Sequence, residues 1–123
     1  GFHGRTYGGI SAGGNASARE GFGELLPGFD RVPFNDIAAL EAAISPNTAG
    51  IILEPIQGEG GVRAFEVSFL QKARALCDAH GILMMCDEVQ CGYGRPGHLF
   101  AFERAGITPD IVTSAKAIGG GFP

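Results

Sequence analysis

The segment VSFLQKARALCDAHGILMMCDEVQ, residues 67–90, holds the clearest helix and the clearest strand of the chain. Apolar residues recur at intervals of three and four over 67–80, which predicts a helix with one buried face. Gly81 follows as a C-terminal stop, because glycine adopts the left-handed backbone of that position at little cost. The apolar run 82–86 then predicts a strand, and an uninterrupted run is typical of a parallel sheet covered on both faces.

Weaker patterns around this segment extend the alternation of strands and helices. Asn35 or Asp36 can cap the helix that follows them. Strands that alternate with helices predict an α/β fold, with a mostly parallel sheet flanked by helices. Three strands make a small sheet, so we expect the chain to be an internal piece of a longer protein. The further predicted elements are helices at 5–12, 36–44 and 99–105, strands at 50–53 and 111–113, and loop over the rest of 1–30.

The composition argues against several classes of protein. The net charge is −4 over 123 residues, and no basic patch stands out, so nucleic acid is not expected as a partner. No apolar run approaches the roughly 20 residues of a membrane span, and we expect neither a membrane segment nor a signal peptide. The 3 cysteines form no CxxC pair, and the 3 histidines are scattered. This pattern predicts no metal site, buried reduced cysteines and a cytoplasmic location.

Charged and polar side chains follow each predicted strand. Glu54 and Glu59 come after the first strand, Asp87 and Gln90 after the second, and Lys116 after the third. Because the carboxyl ends of parallel strands meet at one edge of a sheet, these side chains are expected around one crevice.

Each of these residues also has a plainer interpretation. Lys116 has apolar neighbours, and desolvation favours the neutral, nucleophilic amine, but a surface lysine beside a flexible glycine loop is the favoured reading of that stretch alone. Asp87 follows the most apolar strand and needs a partner, so a structural role is as plausible as a functional one. The literal GxGxxG at 92–97 is a decoy for a dinucleotide site, because Pro96 stands where the helix should begin.

Six motifs taken together are far more specific than any one of them. Their order and spacing resemble those of the class III pyridoxal-phosphate aminotransferases, over essentially the whole chain. The motifs are FHGRT at 2–6, EPIQGEGG at 54–61, DEVQ at 87–90, G-x-G-R at 92–95, LFA-x-E at 99–103 and PDI-x-x-x-AK at 109–116.

The resemblance implies pyridoxal 5'-phosphate as the cofactor and assigns roles to five residues. Lys116 is expected to form the Schiff base with the cofactor aldehyde and then to move the substrate proton. Asp87 is expected to pair with the pyridine nitrogen. Gln90 should bond to the 3'-oxygen, while Val89 packs on one face of the ring and Phe2 stacks on the other.

The resemblance also implies the substrates. Arg5 is expected to bind the substrate α-carboxylate, and Glu59 to pair with a distal arginine. The favoured donor is N-acetylornithine and the acceptor 2-oxoglutarate. Tyr7 is bulky in a segment that sets substrate preference, so ornithine, succinylornithine and 4-aminobutyrate stay open. Glu54 is interpreted as structural.

By the same resemblance, residues 1–123 are part of the large cofactor-binding domain of a fold-type I homodimer. The preceding phosphate-binding segment and the small C-terminal domain are expected to be absent, and the isolated 123 residues to have no useful transaminase activity. Two alternatives stay open: a pyridoxal-phosphate aminomutase or decarboxylase, and a non-catalytic α/β binding module in which Lys116 is structural.

Overall fold

Three parallel strands form the centre of the computed structural model, which describes residues 1–122. The middle strand pairs with one strand on each side, and a two-stranded antiparallel pair lies apart from this sheet. The elements are α1 (Tyr7–Ala12), α2 (Ile37–Ala43), β1 (Gly50–Leu53), β2 (Ile56–Gln57), β3 (Arg63–Ala64), α3 (Val67–His80), β4 (Leu83–Asp87) and β5 (Ile111–Thr113), with 3-10 helices at Ala101–Ala105 and Lys116–Gly119. The sheet order is β1-β4-β5.

The predicted α/β fold with a parallel sheet is confirmed. Helix α3 has the predicted bounds, and Gly81 ends it with a φ of 64°. Strand β4 lies one residue later than predicted, because the amide of Ile82 still bonds to the carbonyl of Cys77 in the helix cap. The helix predicted at 99–105 is shorter and of the 3-10 type.

Of the two candidates for the N-cap of α2, Asn35 and Asp36, the structure selects Asp36. The Asp36 carboxylate accepts a hydrogen bond from the amide of Ala39 at 2.9 Å, so Asp36 is the N-cap. Asn35 takes a different part: its backbone is left-handed, with a φ of 59°, and its side chain accepts from the amide of Glu66. The loop before α2 is therefore tied to the start of α3.

The hydrophobic core lies between α3 and the sheet. Leu70, Ala73 and Cys77 of α3 and Met84 and Cys86 of β4 have no solvent exposure. An aromatic stack joins the core to the loop before α2, with ring centroids 4.2 and 4.7 Å apart along Phe34, Phe65 and Phe69. The core therefore fixes the middle strand, and with it the place where that strand ends.

The Asp110 side chain links α3 and β4 at the residue just before β5. The Asp110 carboxylate accepts hydrogen bonds from the amide of Met84 and from the guanidinium of Arg74, each at 2.7 Å. These two donors hold the pKa of Asp110 below its usual value. In the register of β4 and β5, Asp87 lies beside Thr113.

Among the helices of residues 1–122, none is long and apolar enough to cross a bilayer, and the longest, α3, has 14 residues. All three cysteines in this part of the chain are buried and unpaired, as predicted.

Candidate active site

The carboxyl ends of β1, β4 and β5 meet at one edge of the sheet, where they border a cavity of about 260 Å³. Phe2, His3 and Gly4 of the N-terminal segment also line this cavity. This volume lies just below the range of roughly 300–1,000 Å³ that is typical of small-molecule sites. Five of the seven predicted site residues line the cavity: Phe2, Asp87, Val89, Gln90 and Lys116.

The Asp87 carboxylate is the most strongly held group in this cavity. Its Oδ2 accepts a hydrogen bond from His3 Nδ1 at 2.8 Å. Its Oδ1 accepts from the amide of Val89 at 3.1 Å and from the hydroxyl of Thr113 at 3.0 Å. Burial acts to raise the pKa of this carboxyl, but the three donors outweigh it, so the pKa lies below the usual 3.8. Asp87 is therefore ionised at neutral pH.

Lys116 faces the same cavity from the turn that follows β5. Its φ is 53°, in the left-handed region that a residue with a side chain rarely occupies. Such backbone strain is common at functional sites. Lys116 is exposed, which agrees with the surface lysine that this stretch of sequence alone favoured and not with the alternative of a desolvated amine. Its apolar sequence neighbours do not cover it, since Ala117 and Ile118 are exposed as well.

Gln90 and Glu59 lie against each other at the side of the cavity. Gln90 Nε2 donates a hydrogen bond to Glu59 Oε1 at 3.3 Å. A side chain at Gly58 would overlap the Gln90 amide, so glycine is required for this approach. Glu59 itself is exposed on the turn between β2 and β3 and is not part of the cavity lining.

Arg5 is the other predicted residue that lies outside the lining. Its guanidinium carbon is 5.7 Å from the centroid of the Phe2 ring, within the reach of a cation–π contact. The positive charge of Arg5 is thus held next to the aromatic wall of the cavity.

Glu54 is buried, with 2% exposure, and lines the cavity. Its Oε1 accepts from the amide of Phe2 at 2.6 Å, and its Oε2 accepts from the amide of Gly58 at 3.3 Å. The structural interpretation of Glu54 agrees with these contacts. They set the position of the Phe2 backbone as well as that of the β2–β3 turn.

His3 and Thr113 are site residues that the sequence reasoning missed. Both line the cavity and both contact Asp87. The position of His3 directly after Phe2 was an available signal. Thr113 could be found only from the strand register, because nothing in a three-residue strand indicates which neighbour its hydroxyl meets.

The remaining reactive side chains nearby are not available for catalysis. Glu88 is fully buried and accepts from the amide of Phe102 and from the thiol of Cys91, each at 3.0 Å. Burial, together with Glu88, raises the pKa of Cys91 to about 12, and burial does the same for Cys86. Both cysteines are therefore thiols, which are poor nucleophiles.

Two other kinds of site find no support in the described chain. Within residues 1–122, no group of three or more His, Cys, Asp or Glu side chains is arranged to hold a metal ion. The GxGxxG segment at 92–97 forms turns rather than the start of a helix, which excludes the dinucleotide interpretation.

A larger cavity of about 490 Å³ lies between the free edge of β1, α2 and the loop at 28–34. Its walls are mainly apolar side chains such as Phe34 and Leu40. Neither Asp87 nor Lys116 lines it. The smaller cavity, which Asp87, Gln90 and Lys116 line, is therefore the candidate site.

The sequence matches the family Aminotransferase class-III over residues 1–123. Acetylornithine aminotransferase from Brucella melitensis is 63% identical over 122 residues, which are 99% of this chain and 30% of that protein. Ornithine aminotransferase from Toxoplasma gondii has a solved structure that superposes with a TM-score of 0.92 at 37% identity, over 97% of this chain and 28% of that one. N-acetylornithine aminotransferase from Stenotrophomonas maltophilia superposes with a TM-score of 0.74 at 50% identity, over 77% and 26% of the two chains.

The fold is the α/β fold of the fold-type I pyridoxal-phosphate aminotransferases. Within that class, the chain belongs to the class III aminotransferase family, as its motifs predicted. It spans about 30% of the length of the curated relatives that it matches.

Proposed function

We propose that the protein containing this chain is a pyridoxal-phosphate aminotransferase that moves an amino group from an ω-amino donor to 2-oxoglutarate. The observation that carries the proposal is that an ionised carboxylate, Asp87, and a primary amine, Lys116, face one cavity from neighbouring strand ends. The Toxoplasma gondii relative supports the cofactor, since its structure is described with pyridoxal phosphate at the active site.

The groups around the cavity fit the shape and chemistry of this cofactor. Phe2 and Val89 offer apolar surfaces for the two faces of a flat ring. The Asp87 carboxylate suits a protonated ring nitrogen, the Gln90 amide suits the ring oxygen, and the Lys116 amine suits the aldehyde. When bound, the cofactor supplies an electron sink for the substrate carbanion.

Asp87 and Lys116 would then act as a pair on the bound cofactor. Because its pKa is low, Asp87 stays ionised at neutral pH and would hold a proton on the ring nitrogen. The Lys116 amine would carry the proton between the substrate Cα and the cofactor carbon C4'. Lys116 follows β5 closely, has a left-handed backbone and lines the cavity, which supports this role.

Arg5 and Glu59 are proposed to recognise the substrate at the mouth of the cavity. The Arg5 guanidinium suits a carboxylate because it offers two parallel donors. Glu59 would pair with an arginine from another part of the protein, and its bond to Gln90 links it to the cofactor site. N-acetylornithine is the favoured donor because relatives at 63% and 57% identity are named acetylornithine aminotransferase.

The chain is proposed to be part of the large cofactor-binding domain of a cytoplasmic homodimer. Three buried, unpaired cysteines in the described part support a reducing compartment. The exposure of Lys116 supports a site that is completed by other parts of the protein. We therefore expect the 123 residues alone to show no useful transaminase activity.

The test uses the complete protein that contains this chain. It is incubated with pyridoxal phosphate, reduced with borohydride and digested, and mass spectrometry locates any pyridoxyl adduct. The chain has only two lysines, and Lys72 is exposed on α3, so Lys72→Ala is the matched control for Lys116→Ala. We expect the adduct on Lys116 and its loss only in Lys116→Ala. A folded protein without an adduct at Lys116 would favour the binding module instead.

A second assay separates the candidate substrates and reactions. The rates with N-acetylornithine, succinylornithine, ornithine and 4-aminobutyrate are compared with 2-oxoglutarate as acceptor. We expect the highest kcat/KM for N-acetylornithine, with glutamate as the product from the acceptor. Carbon dioxide release, or a product in which the amino group has moved within one molecule, would indicate a decarboxylase or an aminomutase.

A further inference from the structure

Both oxygens of the Asp87 carboxylate are held, and by donors from different parts of the chain. His3 of the N-terminal segment donates to Oδ2, while Thr113 of β5 and the amide of Val89 donate to Oδ1. A carboxylate that accepts on only one oxygen can turn about its Cβ–Cγ bond. One that accepts on both, from independent parts of the chain, has its rotation fixed.

The His3 contact is well shielded from solvent. The His3 and Asp87 side chains are 7% and 9% exposed, so water competes little for their hydrogen bond. Because the ionised carboxylate can only accept, Nδ1 of His3 carries a hydrogen. The backbone amide of the preceding residue, Phe2, is anchored to Glu54, which keeps the imidazole in place.

The Thr113 contact follows from the sheet itself. Asp87 and Thr113 are register partners on the adjacent parallel strands β4 and β5. Lys116 lies three residues beyond Thr113. A bond from Thr113 to Asp87 therefore ties the carboxylate to the strand that delivers the lysine.

We propose that His3 and Thr113 are positioning residues that fix the place and rotation of the Asp87 carboxylate for a protonated cofactor ring nitrogen. The inference rests on the proposed function. Neither residue touches the reacting atoms in this account, so both act through Asp87. The low pKa of Asp87, caused in part by these two donors, is consistent with such a role.

A purely structural role would have a different consequence. If His3 and Thr113 only satisfied a buried carboxylate, their removal would lower the stability of the folded protein and leave the state of a bound ring unchanged. The protonation of the ring nitrogen is thus the readout that separates the two roles.

The experiment uses the complete protein with pyridoxal phosphate labelled with ¹⁵N in the ring. Thr113→Val keeps the shape of the side chain and removes the hydroxyl, and Thr113→Ser restores the hydroxyl. His3→Phe removes the Nδ1 donor, and His3→Asn restores a donor near that position. Thr108→Val is the matched control, since Thr108 is exposed and does not line the cavity. The dissociation constant of the cofactor and the ¹⁵N shift of its ring nitrogen are measured for each variant.

We expect Thr113→Val and His3→Phe each to weaken cofactor binding about tenfold or more. An effect of this size corresponds to the loss of one hydrogen bond to a charged group. The ¹⁵N shift should move toward the unprotonated value in both. Thr113→Ser and His3→Asn should recover most of both effects, and Thr108→Val should match the wild type.

A ¹⁵N shift that stays at the wild-type value in Thr113→Val and His3→Phe, while both variants bind the cofactor, would overturn the inference and leave the proposed function standing. A wild-type protein that takes up no pyridoxal phosphate would overturn the proposed function, and the inference would fall with it. If His3→Phe does not fold, the Thr113→Val and Thr113→Ser pair decides between the two roles.

Discussion

The α3–β4 unit and the sheet edge that follows it are built by different means. In the unit, a continuous stretch of sequence buries one face, and Leu70, Ala73 and Met84 lose all contact with solvent. At the edge, residues as far apart in sequence as His3 and Asp87 are joined by single hydrogen bonds, and much of the surface stays exposed. The first region depends on packing and the second on register. Mutations should therefore act on different quantities in the two regions.

The largest expected effect on stability lies in the packed unit. Leu70→Ala removes a side chain with no solvent exposure and leaves a cavity against the sheet, so we expect a loss of about 2–5 kcal/mol in the free energy of unfolding. Val67→Ala on the same helix is the control, because Val67 is 39% exposed. Urea unfolding of the complete protein measures both. Equal losses from the two variants would mean that α3 does not pack as described.

The next largest effect on stability is expected at Glu54, at the end of β1 beside the sheet edge. Glu54→Gln keeps the size of the side chain but turns one acceptor into a donor, facing either the amide of Phe2 or that of Gly58. We expect a loss of about 1–3 kcal/mol in stability, together with faster hydrogen exchange at those two amides. The exposed Glu59→Gln is the matched control and should change stability by less than about 0.5 kcal/mol. Unchanged exchange in Glu54→Gln would contradict its anchoring role.

Glycine in place of alanine should raise stability at position 116 and lower it within α3. At position 116 the φ of 53° disfavours a residue with a side chain, so Lys116→Gly should be more stable than Lys116→Ala by about 1 kcal/mol. Ala75 is exposed within α3, and Ala75→Gly should lower stability by about 1 kcal/mol. Thermal unfolding of these variants measures both differences. If glycine were also the less stable choice at 116, the left-handed turn would not exist in solution.

The smallest expected effect is on the pH dependence of stability. The pKa of Asp87 is lower in the folded state than the usual 3.8. Near pH 3.8, the folded protein therefore binds fewer protons at this carboxyl than the unfolded chain does. Its contribution to stability is fully present above that pH and is lost as the pH falls through the folded-state value. Asp87→Asn should remove part of the acid-induced loss measured by unfolding between pH 6 and pH 3. An identical acid profile in Asp87→Asn would show that the carboxylate is not held as described.

The sequence could predict the packed unit because its information is local. The spacing of apolar residues over 67–80 and the run after Gly81 were enough for the bounds of α3 and nearly those of β4. The two-residue strands β2 and β3 are too short for any periodicity to show, and they were not predicted.

The candidate site was predictable only in part, because its contacts are not local. The motifs indicated which residue types belong together, and five of the predicted residues do share a cavity. The part played by Thr113 depends on the register of β4 and β5, and the exposure of Lys116 on what lies over the sheet edge. Neither property is encoded near the residue itself.

The decisive experiment is a crystal structure of the complete protein with pyridoxal phosphate. We expect the cofactor ring in the cavity between Phe2 and Val89, covalently joined to Lys116. We expect the ring nitrogen at a charge-assisted hydrogen-bond distance, roughly 2.7–2.9 Å, from an Asp87 oxygen. A cofactor bound elsewhere, or a ring nitrogen that has no contact with Asp87, would show that the proposed site is wrong.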